Sequence, residues 1–186
     1  MTIDNKGRST LLCLISISHY ENFLKKFCYH FTMFEFSNIT DDLFIGNTPL
    51  ASDYDGLRQL GIQLVINMRF SRSPYPDPHE TPIRFLWLRT IDSPFVPLPV
   101  GKLITGARAA LETILLGGKV YVHCAYGRHR GPAMGSCVLI AQGYDPEQAM
   151  RLVAERRGVA DPYIPYIRSR IVKFAREWKN ELKVSG

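Results

Sequence analysis

Val120-Tyr121-Val122-His123-Cys124-Ala125-Tyr126-Gly127-Arg128-His129-Arg130-Gly131-Pro132 decides how this chain is read. The first residues alternate as a buried strand does, and Met134, Cys137, Val138 and Ala141 then recur at helical spacing. Pro132 suits the first turn of that helix, where its missing N–H costs nothing. Between strand and helix lies a short loop that opens on Cys124 and closes on Arg130. A helix N-terminus and nearby cations lower a thiol pKa, so the layout favours a thiolate at Cys124. The backbone amides from Ala125 through Tyr126, Gly127, Arg128, His129 and Arg130 to Gly131 can converge on one anion. Gly127 allows backbone angles that a side chain forbids. Arg130 offers a planar two-pronged grip on phosphate oxygens. His123 either holds the loop or tunes the thiol through a hydrogen bond.

The C-x5-R spacing alone recurs by chance; the strand before it and the helix after it give it meaning. On these residues HCAYGRHR resembles the HC-x5-R signature loop of the protein tyrosine phosphatase superfamily, and its surroundings resemble the compact dual-specificity branch. The resemblance runs from about Phe36 to Trp178. FSNITDDLFIG (Phe36–Gly46) resembles that family's opening hairpin, and IQLVINMR resembles the strand after its first helix. It implies a cysteine-dependent phosphatase, with Cys124 as nucleophile, Arg130 and the loop amides as phosphate ligands, and a cysteinyl-phosphate intermediate. One residue departs. Gly131 stands where the family usually has serine or threonine, whose hydroxyl helps the cysteine leave as thiolate. That absence implies a slower second step with phosphate binding kept. The Arg130-Gly131-Pro132-Ala133 run is locally closer to the phosphatases of regenerating liver.

Such chemistry needs a proton donor for the leaving oxygen. Asp92 follows the apolar run Phe85-Leu86-Trp87-Leu88, on a loop that can reach the strand ends. It lies about thirty residues before Cys124, where the resemblance places the family's general acid. Asp77, in Tyr75-Pro76-Asp77-Pro78, competes, but it precedes that strand and reads as a proline-rich turn. No zinc spacing, acidic cluster for magnesium or glycine-rich nucleotide loop stands out, so no metal or cofactor is expected.

At 186 residues the chain suits one domain with a substantial core. Its net charge of +6 favours anionic partners. The basic residues are dispersed, so nucleic acid is not expected. Four cysteines without framework spacing suggest reduced thiols and a cytoplasmic setting.

Residues 1–33 read as an N-terminal helical or leader segment, and residues 34–184 as the catalytic domain. Leu11 to Ile17 is too short to span a bilayer. Tyr20, Leu24, Phe27, Cys28 and Phe31 share a helical face, suited to docking or to weak membrane-surface contact with Lys25 and Lys26. Met33 is an alternative start. Beyond it the pattern predicts a turn at Asp41-Asp42, a helix capped by Ser52 or Asp53 and ending near Gly61, and a strand from Ile62 to Asn67. A loop from Ser71 to Pro82 follows, either bordering the pocket or running over the surface. Then come a strand Arg84–Arg89, a helix Val100–Leu116, and the strand Lys119–His123. Asp145-Pro146 opens a helix to about Arg157. Asp161-Pro162 opens the last, with Ile164, Ile167, Ile171, Phe174, Trp178 and Leu182 as its apolar stripe. The expected fold is a single α/β domain with a central, mostly parallel sheet flanked by helices.

Protein phosphotyrosine, phosphoserine or phosphothreonine is the leading substrate class. Arg128, His129 and Tyr126 at the loop's lip keep a phosphoinositide, inositol phosphate or phospholipid headgroup as the alternative. Arg128 as a solvated side chain and His129 pointing out of the loop are the plainer readings. A slow phosphate-binding module and a rhodanese-type sulfur-transfer enzyme are the rivals. Arg151, Arg156 and Arg157 either stripe a face or pair with Glu147 and Glu155, and Glu147 to Arg151 has helical pair spacing.

Overall fold

The computed structural model describes residues 35–77, 79 and 81–184. The expectations for residues 1–33 lie outside these, so neither the N-terminal helix nor its membrane contact enters the description. The elements are β1 (Phe36–Asn38), β2 (Leu43–Gly46), a 3-10 turn (Ala51–Asp53), α1 (Tyr54–Gln59), β3 (Ile62–Arg69) and β4 (Arg84–Thr90). They continue with α2 (Val100–Leu115), β5 (Lys119–His123), α3 (Arg130–Ala141), α4 (Pro146–Arg156) and α5 (Pro165–Val184). The five strands form one sheet in the order β1-β2-β5-β3-β4. Only β1 and β2 pair antiparallel, through a turn at the predicted Asp41-Asp42. Strands β2, β5, β3 and β4 run parallel, so their C-terminal ends face one side.

Strands covered on both faces carry continuous apolar runs. Leu43, Ile45, Leu64, Ile66, Val120 and Val122 face a core shared with α2, α3, α4 and α5. Phe44, Val65 and Tyr121 face the other way, onto Tyr54 and Leu57 of α1. Helix α3 is buried almost throughout, which its low amphipathicity requires. Small residues let it approach its neighbours. A Cβ on Gly135 would lie 2.3 Å from Ile45, and one on Gly106 of α2 would lie 2.5 Å from the Met134 sulfur.

Two boundaries differ from expectation. Asp53 does not cap α1; its carboxylate accepts from the Leu50 amide (2.7 Å) and stabilises the preceding turn. The last helix begins at Pro165, not at Pro162, because Asp161 Oδ1 accepts from the Ile164 amide (3.0 Å) and makes a turn there first. Asp145 caps α4 as expected, through the Glu147 amide (2.9 Å). Ile167, Ile171, Phe174 and Trp178 are buried in the core, as their spacing implied.

The sheet carries one irregularity that matters. Asn67 pairs with Trp87, but Arg69 pairs with Thr90, so β4 holds one extra residue. Arg89 occupies this bulge at φ 47°, in the left-handed region. Beside the bulge the Thr90 carbonyl accepts from Arg130 at the start of α3 (2.6 Å).

Candidate active site

The Cys124 loop leaves β5 at the centre of the sheet, beyond the C-terminal ends of the parallel strands, where α/β sheets bind ligands. Cys124 is buried. It shares a cavity of about 430 Å³ with Asp92, Ala125, Tyr126, Arg128, His129, Arg130 and Tyr166. Most residues expected to form the site are thus drawn together, whereas His123, Gly127 and Gly131 do not line the cavity and Asp77 lies elsewhere. A larger hollow of about 580 Å³, lined by Arg58, Ile62, Arg84 and Glu112, sits at the opposite end of β3 and β4. Its arginines already pair with Asp77 and Glu112, and no thiol lines it.

The loop is held by its carbonyls. The Thr48 hydroxyl donates to the Cys124 carbonyl (2.9 Å). Arg157 donates from Nη2 to the Tyr126 carbonyl (3.1 Å) and from Nε to the Gly127 carbonyl (2.8 Å). The Asp161 amide donates to the Arg128 carbonyl (2.8 Å). Among the described residues no peptide is cis, so each anchored carbonyl sends the next residue's N–H the opposite way. The amides of Ala125, Gly127, Arg128 and His129 therefore point away from these anchors, which makes the loop a cradle for an anion. Gly127 is required twice over: its φ is +63°, and a Cβ there would lie 2.6 Å from the Arg157 guanidinium.

Arg157 is a functional residue that sequence spacing misassigned. It neither stripes a surface nor pairs within its helix; it is 2% exposed and supports the loop from beneath. Glu147, expected opposite Arg151, reaches Arg168 of α5 instead (3.6 Å). The helix α5 packs close enough to compete with the local partner.

Arg130 begins α3 and is buried. Its Nη1 donates to the Met68 carbonyl (3.1 Å) and to the Thr90 carbonyl freed by the bulge (2.6 Å). These bonds fix the guanidinium plane, and Nε lies 3.3 Å from Asp92 Oδ2 without an aligned hydrogen bond. Asp92, 27% exposed at its side chain, is also held from α5, where the Tyr166 hydroxyl donates to Oδ1 (2.9 Å). His129 Nδ1 lies 3.0 Å from that hydroxyl and 3.3 Å from Oδ2. His129 thus turns inward to the aspartate, against the plainer reading that it points out. Tyr166 was not legible as a site residue, since tyrosine in an apolar-periodic helix reads as packing. Burial, reinforced by its bond to Asp92, pushes its hydroxyl up to about 12, so it stays a donor at neutral pH.

His123 is buried, and desolvation lowers it to about 3, so it is neutral. Its Nδ1 lies 3.4 Å from the Cys124 carbonyl, which places it with the loop backbone. It stacks on Tyr121. Arg128 is exposed at the lip. Cys137, the other cysteine among the described residues, is buried in the core and its thiol is pushed well up by desolvation, which makes it inert. Asp77 is a structural hub. Its side chain is 2% exposed, pairs with Arg58, lies 2.8 Å from His79 and accepts from the Ile83 amide (2.8 Å). It ties the loop between β3 and β4 down on the flank of α1, and none of the loop's described residues lines the Cys124 cavity. Among the described residues no cluster of three or more His, Cys, Asp or Glu is arranged to hold a metal ion, and no helix is long and apolar enough to cross a membrane.

No family model matches the chain. Among curated proteins, dual specificity protein phosphatase 26 of Rattus norvegicus is 28% identical over 120 residues, which cover 63% of this chain and 57% of that protein. The chain therefore matches little more than half of that relative's length. Among solved structures, human DUSP28 superposes with a TM-score of 0.69 at 23% identity, covering 77% of this chain and 95% of that one. PTPMT1, crystallised in complex with PI(5)P, superposes with a TM-score of 0.70 at 24% identity, over 79% of this chain and 98% of the other. The likeness read from the signature loop extends to the whole described domain, and the chain has the dual-specificity phosphatase fold.

Proposed function

We propose that the chain is a cysteine-dependent phosphatase that hydrolyses phosphomonoesters through a cysteinyl-phosphate intermediate. The observation that carries this reading is the meeting of Cys124, Arg130 and Asp92 in one cavity at the strand ends. The fold and the curated relative support it.

In the first step the Cys124 thiolate attacks phosphorus and the P–O bond to the leaving group breaks. Asp92 gives its proton to the departing oxygen. Arg130 and the amides of Ala125 to Gly131 hold the three non-bridging oxygens, since positioning and charge stabilisation carry most of phosphoryl transfer. In the second step Asp92, now a carboxylate, takes a proton from an entering water. The oxygen of that water bonds to phosphorus, and the S–P bond breaks to return thiolate and inorganic phosphate. Tyr166 and His129 hold Asp92 over the loop through both steps. His123 supports the loop backbone. A thiol nucleophile works only while reduced, so this reading places the protein in a reducing, cytoplasmic compartment.

Phosphorylated protein side chains are the first substrate class. Phosphoinositides or phospholipid headgroups are the second, favoured by the exposed Arg128 and Tyr126 at the lip. The test is turnover of a small aryl phosphate. Cys124→Ser should abolish it while tungstate still binds. Asp92→Ala should lower it by about 10²–10⁴-fold for substrates with poor leaving groups. Acid quenching should trap phosphate on Cys124, seen as a mass shift on that peptide. Turnover that survives Cys124→Ser would overturn the reading.

A further inference from the structure

The end of the sheet that carries Cys124 is ringed by apolar side chains standing in water. Leu50, Phe70, Ile91, Phe95, Val96 and Tyr126 make up half of the twelve large apolar side chains exposed among the described residues. They come from four separate strand ends, after β2, β3, β4 and β5. Phe95 is 91% exposed and Tyr126, at the edge of the Cys124 cavity, 80% exposed, so each stands out from the surface. Exposed apolar groups collected in one place mark an interaction surface.

The charge on the same segments is one-sided. Residues 46–50, 69–75, 89–98 and 125–129 hold Arg69, Arg72, Arg89 and Arg128 against a single carboxylate, Asp92. Asp92 is engaged inside the pocket with Tyr166 and Arg130. The bulge in β4 sets the Arg89 guanidinium 5.4 Å over the Phe70 ring and 4.9 Å over the Trp87 ring. Cation and apolar tip are thus held side by side at the rim.

We infer that this rim docks the enzyme on an anionic phospholipid bilayer, so that the phosphate it hydrolyses is a monoester presented at the lipid surface. The inference rests on the phosphatase reading above. A bound peptide needs a concave pocket for its side chains, whereas these apolar groups protrude. A bilayer accepts protruding tips into its apolar interior while its headgroups meet the arginines. Four loops around one pocket would seat the rim flat, with Cys124 facing the headgroup layer.

The test uses the full chain and vesicles of phosphatidylcholine with or without phosphatidylserine, read by co-sedimentation. The protein should bind the anionic vesicles at low salt and release as salt rises. Phe70→Ser with Phe95→Ser should weaken binding about tenfold or more. Arg72→Gln with Arg89→Gln should weaken it about 25-fold, at about fivefold per arginine. Both double variants should keep wild-type turnover of a soluble aryl phosphate and lose turnover of a lipid phosphomonoester in the vesicles. No vesicle binding by the wild type, or equal binding by wild type and both variants, would overturn the inference. So would variants that lose turnover of an acidic phosphopeptide but not of the vesicle lipid. If the wild type fails on the aryl phosphate, the phosphatase reading falls, and the binding comparison still decides the surface.

Discussion

Gly131→Ser tests the proposal that breakdown of a cysteinyl-phosphate limits turnover. Gly131 follows Arg130 at the start of α3, and a Cβ there would lie 3.6 Å from Cys124 Sγ and 3.5 Å from the Cys124 amide nitrogen. Both are ordinary contact distances, and the backbone at Gly131 does not have positive φ. A serine therefore fits without displacing a neighbour, and its hydroxyl, one bond further out, comes within hydrogen-bond reach of the sulfur. A hydrogen bond to a charged group contributes about 1.5–3 kcal/mol. Directed at the departing thiolate, that accelerates phosphoenzyme breakdown about 10- to 150-fold. Attack on phosphorus does not gain, because it starts from the thiolate that the hydroxyl already stabilises and spends that charge in bonding to phosphorus. Stopped-flow hydrolysis of an aryl phosphate separates the two steps. The wild type should release one equivalent of phenol per Cys124 in a burst, followed by a slow linear phase. The serine variant should raise the linear rate by that factor, shrink the burst and lower the phosphate trapped by acid quench. A wild type without a burst, or a variant with an unchanged linear rate, would refute the claim that breakdown limits turnover.

Three further perturbations separate other parts of the structure. Tyr166→Phe removes one bond to Asp92 and should cut kcat/KM, which reports the first step, about tenfold for poor leaving groups, with little effect on good ones, as a leaving-group series would show. Asp77→Asn removes a carboxylate held well below its ordinary value: desolvation opposes ionisation, but Arg58, the Ile83 amide and His79 outweigh it. Because the folded-state pKa is depressed, this carboxylate's stabilisation is fully present above the unfolded value of about 4 and fades as pH falls below it. The variant should thus be less stable at neutral pH and lose less on acidification, measured by urea melts across pH. Gly127→Ala should cost about 1–2 kcal/mol from its left-handed φ alone. The close approach of Arg157 adds to that, and vanadate inhibition together with Tm should both fall.

Much of the fold was legible because its signals are local. The parallel strands read as short apolar runs, the loop as glycine between strand and helix, and α4 from Asp145-Pro146. Cys124, Arg130 and Asp92 could be placed because each sits at the end of a recognisable strand or the start of a helix. What could not be read depends on contacts distant in sequence. Arg157 looked like one of a surface trio, yet it is the one that folds under the loop thirty residues earlier. Tyr166 looked like helix packing, and only the approach of α5 to the Asp92 loop gives its hydroxyl a partner. Asp77 looked like a turn residue because its main partner, Arg58, stands nineteen residues earlier in α1, on the far side of β3. The bulge at Arg89 had no glycine to announce it.

Three arginines of the site divide the work in a way that spacing cannot reveal. Arg130 is tied by Nη1 to two strand-end carbonyls, so its orientation is fixed before substrate arrives and little reorganisation is left for the reaction. Arg157 is consumed by the Tyr126 and Gly127 carbonyls, so its charge acts on the loop and not on the ligand. Arg128 is exposed, and only its backbone carbonyl is anchored, by the Asp161 amide. The cradle amides are therefore aimed by partners from three other places in the chain: Thr48 after β2, Arg157 after α4, and Asp161 before α5. A loop built this way leans on those anchors, since the amides of Ala125, Gly127, Arg128 and His129 turn the same way and their like partial charges repel one another. Its shape is maintained by the fold around it. Loss of any one anchor should accordingly weaken oxyanion binding at temperatures where the sheet and helices are still intact.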